Sequence, residues 1–195
     1  MSLSVMQSRH LSKVLRMSRG DEVTYSDGLG TVGRGILGQN VIERGDEEEV
    51  ARPTRITMVV APPANKDRQR FLVEKMAELG VERLVWLETL RGKNRVSSAS
   101  KVFSWVLAAT EQSRGAWLME VAPDLIRLDD LEPGWAVCHP GGDRSTPETQ
   151  TIVVGPEGGF AEEEVPKDAA RWDLGPTVLR VETAAIVAVS KLLAR

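Results

Sequence analysis

The chain has 195 residues, of which 42% are hydrophobic and 27% charged, with a formal net charge of −3. These proportions suit one or two small globular domains with a sizeable core. The single Cys138 excludes an internal disulfide, and with only His10 and His139 as histidines no zinc ligand set stands at standard spacing. No apolar stretch approaches the roughly 20 residues that cross a bilayer, and the opening residues lack a signal-peptide pattern. The expectation is a cytoplasmic protein with no metal chemistry and no membrane partner.

Charge is unevenly spread. Residues 1–20 carry Arg9, Lys13, Arg16 and Arg19 without an acid, and residues 89–101 carry Arg91, Lys93, Arg95 and Lys101 without one. Acids gather at Asp46 to Glu49 and Glu162 to Glu164. Two basic patches on an acidic chain suggest a localised polyanion site, although Lys and Arg also simply solvate surfaces.

Taken in order, residues 20–44 read as short strands. Glu22 to Ser26 alternates, Asp27-Gly28 signals a hairpin, and Thr31 to Leu37 returns with Gly33 and Gly35 marking bulges of a small, curved barrel. Val41-Ile42 offers a further strand before the acidic run, which leaves the barrel short of strands. From Ile56 to Ala61 the chain is continuously apolar, as in a strand buried on both faces. Asn65-Lys66-Asp67 opens a helix whose Phe71, Leu72, Met76 and Leu79 recur at helical spacing, and Gly80 terminates it. Val81 to Leu87 is the next strand, so β-α-β order favours a parallel sheet.

Ser97, Ser98 and Ser100 offer caps for a helix through Gln112 that turns Val102, Phe103, Val106 and Leu107 inward. Strands are expected near Trp117 to Val121, at Trp135 to His139, at Thr151 to Val154 and at Arg171 to Leu174. A short acidic helix is expected after Phe160. A closing helix is expected over Thr183 to Ala194, with Ile186, Val189, Leu192 and Leu193 on one face.

Chemistry points to the late strands. No Gly-x-Gly-x-x-Gly follows the first strand of the sheet and no Walker A sequence exists. Instead, Gly-rich loops follow the strands at 135–139, 151–154 and 171–174. Loops of bare backbone at strand ends are how α/β proteins hold ligands, and main-chain groups there suit the polar edge of a purine. Covalent catalysis has little support: Ser145 and Ser190 lie in no nucleophile elbow, and Cys138 reads as a core residue. Arg180 is placed to hold a phosphate or a base carbonyl, while Glu182 and Thr183 also read as plain helix-start residues.

The stretch Val154-Gly155-Pro156-Glu157-Gly158-Gly159-Phe160, with Leu174-Gly175 and Leu179-Arg180-Val181-Glu182-Thr183-Ala184, resembles the RsmE family of bacterial 16S ribosomal RNA uridine-N3 methyltransferases. Glu74 to Val81, Glu111-Gln112-Ser113 and the opening His10 to Arg16 agree in the same order. The resemblance implies an α/β fold: a SPOUT-type, trefoil-knotted methyltransferase domain over residues 53–195, preceded by a PUA-like RNA-binding β-barrel over residues 1–52. It also implies a homodimer, S-adenosyl-L-methionine as cofactor, and 16S rRNA of the small ribosomal subunit as partner.

By carry-over, the cofactor would be held by His139, Pro140, Gly141, Val154, Gly155, Pro156, Glu157, Gly158, Gly159, Leu174, Gly175, Val178, Leu179, Thr183 and Ala184. Arg180, Glu182 and Glu111 are the catalytic candidates: Arg180 to hold the uracil anion or its phosphate, and one of the two carboxylates to take the N3 proton. RNA contacts would fall to Arg9, His10, Arg16, Lys66, Arg91, Lys93, Arg95 and Arg114. The chain departs from the family pattern at Leu90-Arg91-Gly92, at Gly115 and at Ala161. These departures bear on substrate contacts, and they keep open a knotted methyltransferase with another target or a noncatalytic ribosome-assembly factor.

Overall fold

The computed structural model describes residues 1–92 and 95–194. The chain divides into two compact units, Met1–Arg52 with Gly115–Trp117, and Pro53–Arg114 with Leu118–Arg195.

The first unit holds one antiparallel sheet, ordered β1 (Glu22–Ser26), β2 (Thr31–Leu37), β3 (Ile42–Glu49). Asp27 shapes its hairpin, accepting from the N–H groups of Leu29 at 2.7 Å and Thr31 at 3.0 Å. The β2–β3 register slips between Gly33 and Gly35, where the sequence pattern places a bulge. β3 runs through the acidic residues 46–49, well past the Val41-Ile42 pair expected from the sequence. Only Ile42 of this strand is buried. A strand wetted on both faces is held by its backbone ladder and needs no apolar alternation, so the hydrophobic pattern has nothing to read there.

A short helix α1 (Val5–Arg9) and a π turn over His10–Val14 precede the sheet. The core is small: Val23, Leu37 and Ile42, with Leu3, Leu11, Met17 and Tyr25 packed against them. Trp117 completes this unit, donating through Nε1 to Val50 O at 2.8 Å with the Arg52 guanidinium 4.2 Å from its ring centre.

The second unit is built on a six-stranded sheet ordered β6 (Glu120–Ile126), β5 (Arg83–Leu87), β4 (Thr57–Val60), β8 (Thr151–Val154), β7 (Ala136–Asp143), β9 (Ala170–Trp172). Every pairing is parallel. One face is covered by α2 (Lys66–Glu78), α3 (Ala99–Ser113) and α4 (Val181–Leu193), which enclose Met58, Trp86, Ile152 and Trp172. The opposite face buries Val59, Val85, Val137 and Val153 under Leu128, Val165 and Phe160. The continuous apolar run of β4 follows from this double burial. Asn65 caps α2, its side chain accepting from Arg68 N at 2.9 Å, and Gly80 at φ +72° closes the helix.

Four local expectations are corrected. No helix follows Phe160; the segment turns instead, because Glu164 accepts from Ala161 N at 2.9 Å and Pro166 blocks continuation. In α3 the inward set is Val102, Trp105, Val106 and Ala109, whereas Phe103 is exposed: burying the indole of Trp105 sets the helix phase. The strand expected from Trp117 begins at Glu120 and runs as a sheet edge through Pro123, a position where the missing N–H costs little. α4 starts at Val181 with Arg180 as its cap residue, so Thr183 lies inside the first turn, and Leu193 faces outward.

Candidate functional site

The parallel order places β8, β7 and β9 side by side, so the three Gly-rich loops leave the same edge of the sheet. The first lies within β7. Cys138 and Asp143 both pair with Trp172, and residues 139–142 bulge out between them. The second is Gly155–Gly159 after β8, and the third runs from Leu174 to Arg180 between β9 and α4. Each loop contributes one glycine at positive φ, namely Gly141, Gly159 and Gly175, and no protein atom stands within 4 Å of where its Cβ would lie. A cradle of backbone facing open space at three adjacent strand ends fits a nucleoside-like ligand. Gly155 has a different reason: a side chain there would collide with the ring of Phe160.

Three charged residues tie these loops or the segments beside them to the rest of the unit, and sequence reasoning missed all of them. Asp173, at the end of β9, accepts from Gly175 N at 2.9 Å, and Arg144 lies 3.7 Å away. The Gly175 N–H holds its carboxyl below the usual range against the opposing effect of burial, and the Gly141 N–H and Arg144 add to this. Asp173 therefore ties the first loop to the third. Glu164 accepts from Ala161 N at 2.9 Å and from Leu90 N at 2.8 Å, joining the segment after β8 to the loop after β5. Arg68, in the first turn of α2, holds both Glu157 and Glu182. The Asp-Leu-Gly spelling of an Asx turn at 173–175 was a usable signal for the first; the other two carry none.

The remaining sequence candidates are distributed as follows. His139 and Pro140 are exposed on the first loop, with His139 Nδ1 2.7 Å from Pro140 O. Val154 is buried and its carbonyl is already taken by Ala61 N, so its part in the cradle is to end the strand. Pro156 is buried; Glu157, Gly158 and Gly159 are exposed beside it. Leu174 and Leu179 pack partly against the core, whereas Val178 is 85% exposed. Ala184 is buried in the first turn of α4 and Thr183 exposed there. Burial pushes the Cys138 thiol up to about 12, which keeps it an inert core group.

Of the catalytic candidates, Arg180 stands at the end of the third loop, exposed; its carbonyl accepts from Ala184 N at 2.8 Å, while its guanidinium makes no hydrogen bond or ion pair among the described residues. Glu182, 7% exposed, lies two residues further on, in the first turn of α4. Burial would raise its carboxyl, but the Arg68 hydrogen bonds, the backbone N–H and the nearby Arg68 and Arg180 charges hold it below the usual range. Glu111 is not brought to the loops of its own chain. α3 runs back from the C-terminal end of β5 toward the start of β6, so its last turn lies about 20 Å down the layer.

Among the basic candidates, Arg9, His10 and Arg16 are exposed on the first unit, Arg16 at φ +56°. Lys66, Arg91 and Arg95 are exposed on the second, and Arg91 donates to Gly158 O at 3.2 Å. Arg114 caps α3 in the left-handed conformation beside Glu111. Lys93 lies outside the described residues.

A family model of the RNA methyltransferase domain matches residues 50–193, and the chain belongs to that family. Its membership of the RsmE group, read from the sequence, is borne out by the similarities that follow. The chain is 29% identical over 214 residues to the ribosomal RNA small subunit methyltransferase E of Mycobacterium bovis, covering 92% of this chain and 80% of that one. The crystal structure of the Neisseria gonorrhoeae ribosomal RNA small subunit methyltransferase E, bound to S-adenosyl methionine, superposes with a TM-score of 0.79 at 26% identity, covering 95% of this chain and 87% of that one. A Legionella pneumophila protein described as a methyltransferase and determined with SAM bound gives a TM-score of 0.82 at 26% identity, over 100% and 91% of the two chains.

Proposed function

We propose that this protein transfers a methyl group from S-adenosylmethionine to N3 of a uridine in the 16S RNA of the small ribosomal subunit. The observation that carries this reading is the three-loop cradle on β8, β7 and β9, in a chain of the RNA methyltransferase family. The loops at 139–141, 155–159 and 174–179 hold the cofactor largely through main chain, and the cofactor supplies an electrophilic methyl on a sulfonium. Uridine N3 is a weak acid, so the protein must stabilise the anion left when its proton departs. Arg180, exposed and unpaired where the third loop meets α4, is the group suited to this.

The chain crosses to the outer edge at β9 and returns as α4 against α2, β8 and β4, a path that supports a SPOUT-type trefoil knot in residues 53–195. Residues 1–52 serve as a PUA-like RNA-binding module, with Arg9, His10 and Arg16 toward RNA. The enzyme acts as a cytoplasmic homodimer, and Glu111 and Arg114, remote from the loops of their own chain, reach the site of the second copy.

Replacing Arg180 by Ala should lower kcat by about 100-fold or more, with cofactor affinity changed far less, as measured by single-turnover methyl transfer and calorimetry. Normal turnover would remove Arg180 from the mechanism. Mapping methylated nucleotides in ribosomal RNA from cells lacking and regaining the gene tests the target itself; a restored mark other than uridine N3 would overturn it.

A further inference from the structure

Arg68 commits its whole guanidinium to the second loop of the site and to the first turn of α4. Nε and Nη2 donate to Glu182 Oε1 and Oε2 at 2.9 and 2.7 Å, a bidentate fork, while Nη1 lies 2.9 Å from Glu157 Oε1. Glu182 belongs to the first turn of α4, which the third loop feeds; Glu157 stands in the second loop, next to Gly158 and Gly159. α2 itself contributes no cofactor loop, yet its Asn65 cap fixes where its first turn begins and so where the fork points.

The two ends of this bridge differ. The Glu182 end is nearly closed to solvent, with side-chain exposure of 9%, and the Glu157 end is open at 38%. An ion pair at an open loop tip adds little to stability. What it does is hold a flexible Gly-flanked turn at one distance from α4, which a planar three-nitrogen group can do and an ammonium cannot.

We propose that Arg68 is a positioning residue that fixes the Gly155–Gly159 loop against the start of α4 for cofactor binding, with Glu182 as its anchor rather than as the proton acceptor. This rests on the S-adenosylmethionine reading above. The test is calorimetric titration of the full chain with S-adenosylmethionine, paired with methyl-transfer kinetics, for the wild type and for Arg68→Lys, Arg68→Ala and Glu157→Gln. Arg68→Ala should weaken cofactor binding about tenfold or more, and Arg68→Lys should recover only part of it. The loss should fall more on the cofactor KM than on kcat, and the acid limb of the kcat profile should stay in place.

Wild-type chain that binds no cofactor would bring down the cofactor reading itself. Wild-type binding with equal affinity in Arg68→Ala would overturn the positioning role alone. An acid limb moved upward by about a unit or more in Arg68→Lys would make Glu182 the base, against the anchor assignment. Should Arg68→Ala melt early, Glu157→Gln isolates the loop contact: about threefold weaker binding at an unchanged melting temperature is expected, and unchanged affinity would refute the proposal.

Discussion

The two units solve the problem of holding strands together in opposite ways. In the second, β4, β5, β8 and the start of β7 are buried on both faces, and side chains such as Met58, Trp86, Ile152 and Val153 are almost wholly shielded from solvent. In the first, β3 buries only Ile42, the core is three residues with a few partners, and much of the rest is polar, such as the Tyr25–Glu47–Arg44 cluster at the surface. Burial is the dominant stabilising term, and exposed ion pairs contribute little. The parallel layer is thus the rigid platform and the antiparallel sheet the yielding part. The Gly-rich loops proposed to hold the cofactor, which would need sub-ångström placement, hang from the former, and the RNA-facing role proposed for the first unit suits the latter.

The sharpest way to break this contrast is to empty the platform. Trp86→Ala removes a fully shielded indole from β5 and should destabilise the second unit by about 3–5 kcal/mol, read by urea denaturation. A loss below about 1 kcal/mol would mean that the layer is less tightly packed than its burial indicates. A smaller effect is expected from Glu182→Gln, about 2 kcal/mol at pH 7, under the range for a fully enclosed pair because Arg68 is partly open to solvent.

This second penalty depends on pH. Glu182 titrates lower in the folded state than its unfolded value of about 4.3. Its contribution is therefore complete above that value and is lost as pH falls through the folded pKa. The gap between wild type and Glu182→Gln should close below about pH 4. A gap that stays constant with pH would mean that the mutation acts through packing instead of charge.

How much of this was legible beforehand depended on the range over which each signal acts. β4, α2 with its Asn65 and Gly80 boundaries, and the three loops all announce themselves within a few residues, through apolar runs, caps and glycines. Arg68 announces nothing: an arginine in a first helical turn is unremarkable, and its Glu182 partner lies 114 residues away. β3 was legible only at its Val41-Ile42 start, because the wetted remainder of the strand has no apolar period. The acidic residues after Phe160 suggested a helix start, but Glu164 is committed to the N–H groups of Leu90 and Ala161, one of them 74 residues distant. Placement of Glu111 is topological, since only the parallel order of β5 and β6 sends the end of α3 away from the loops.

The finest comparison uses the same small change in both units. Ile152 on β8 is 0% exposed and Ile42 on β3 is 4% exposed, so each Ile→Val removes one buried methylene. The cost of such a deletion depends on how well the surroundings collapse into the space left behind. Ile152 is boxed in by the parallel layer and by α4, whereas Ile42 faces a few partly buried neighbours that have solvent to move into. Ile152→Val should therefore cost about 1.5 kcal/mol and Ile42→Val about 0.5 kcal/mol.

Native-state hydrogen exchange separates the two, because amides of β1 and β2 report the first unit and those of β4 and β5 the second. Ile42→Val should speed exchange in Glu22–Ser26 and Thr31–Leu37 while leaving Thr57–Val60 at wild-type rates. Equal costs at the two sites, or lost protection spreading to Thr57–Val60, would show that the sheets share one cooperative transition and that platform and yielding part are not distinct.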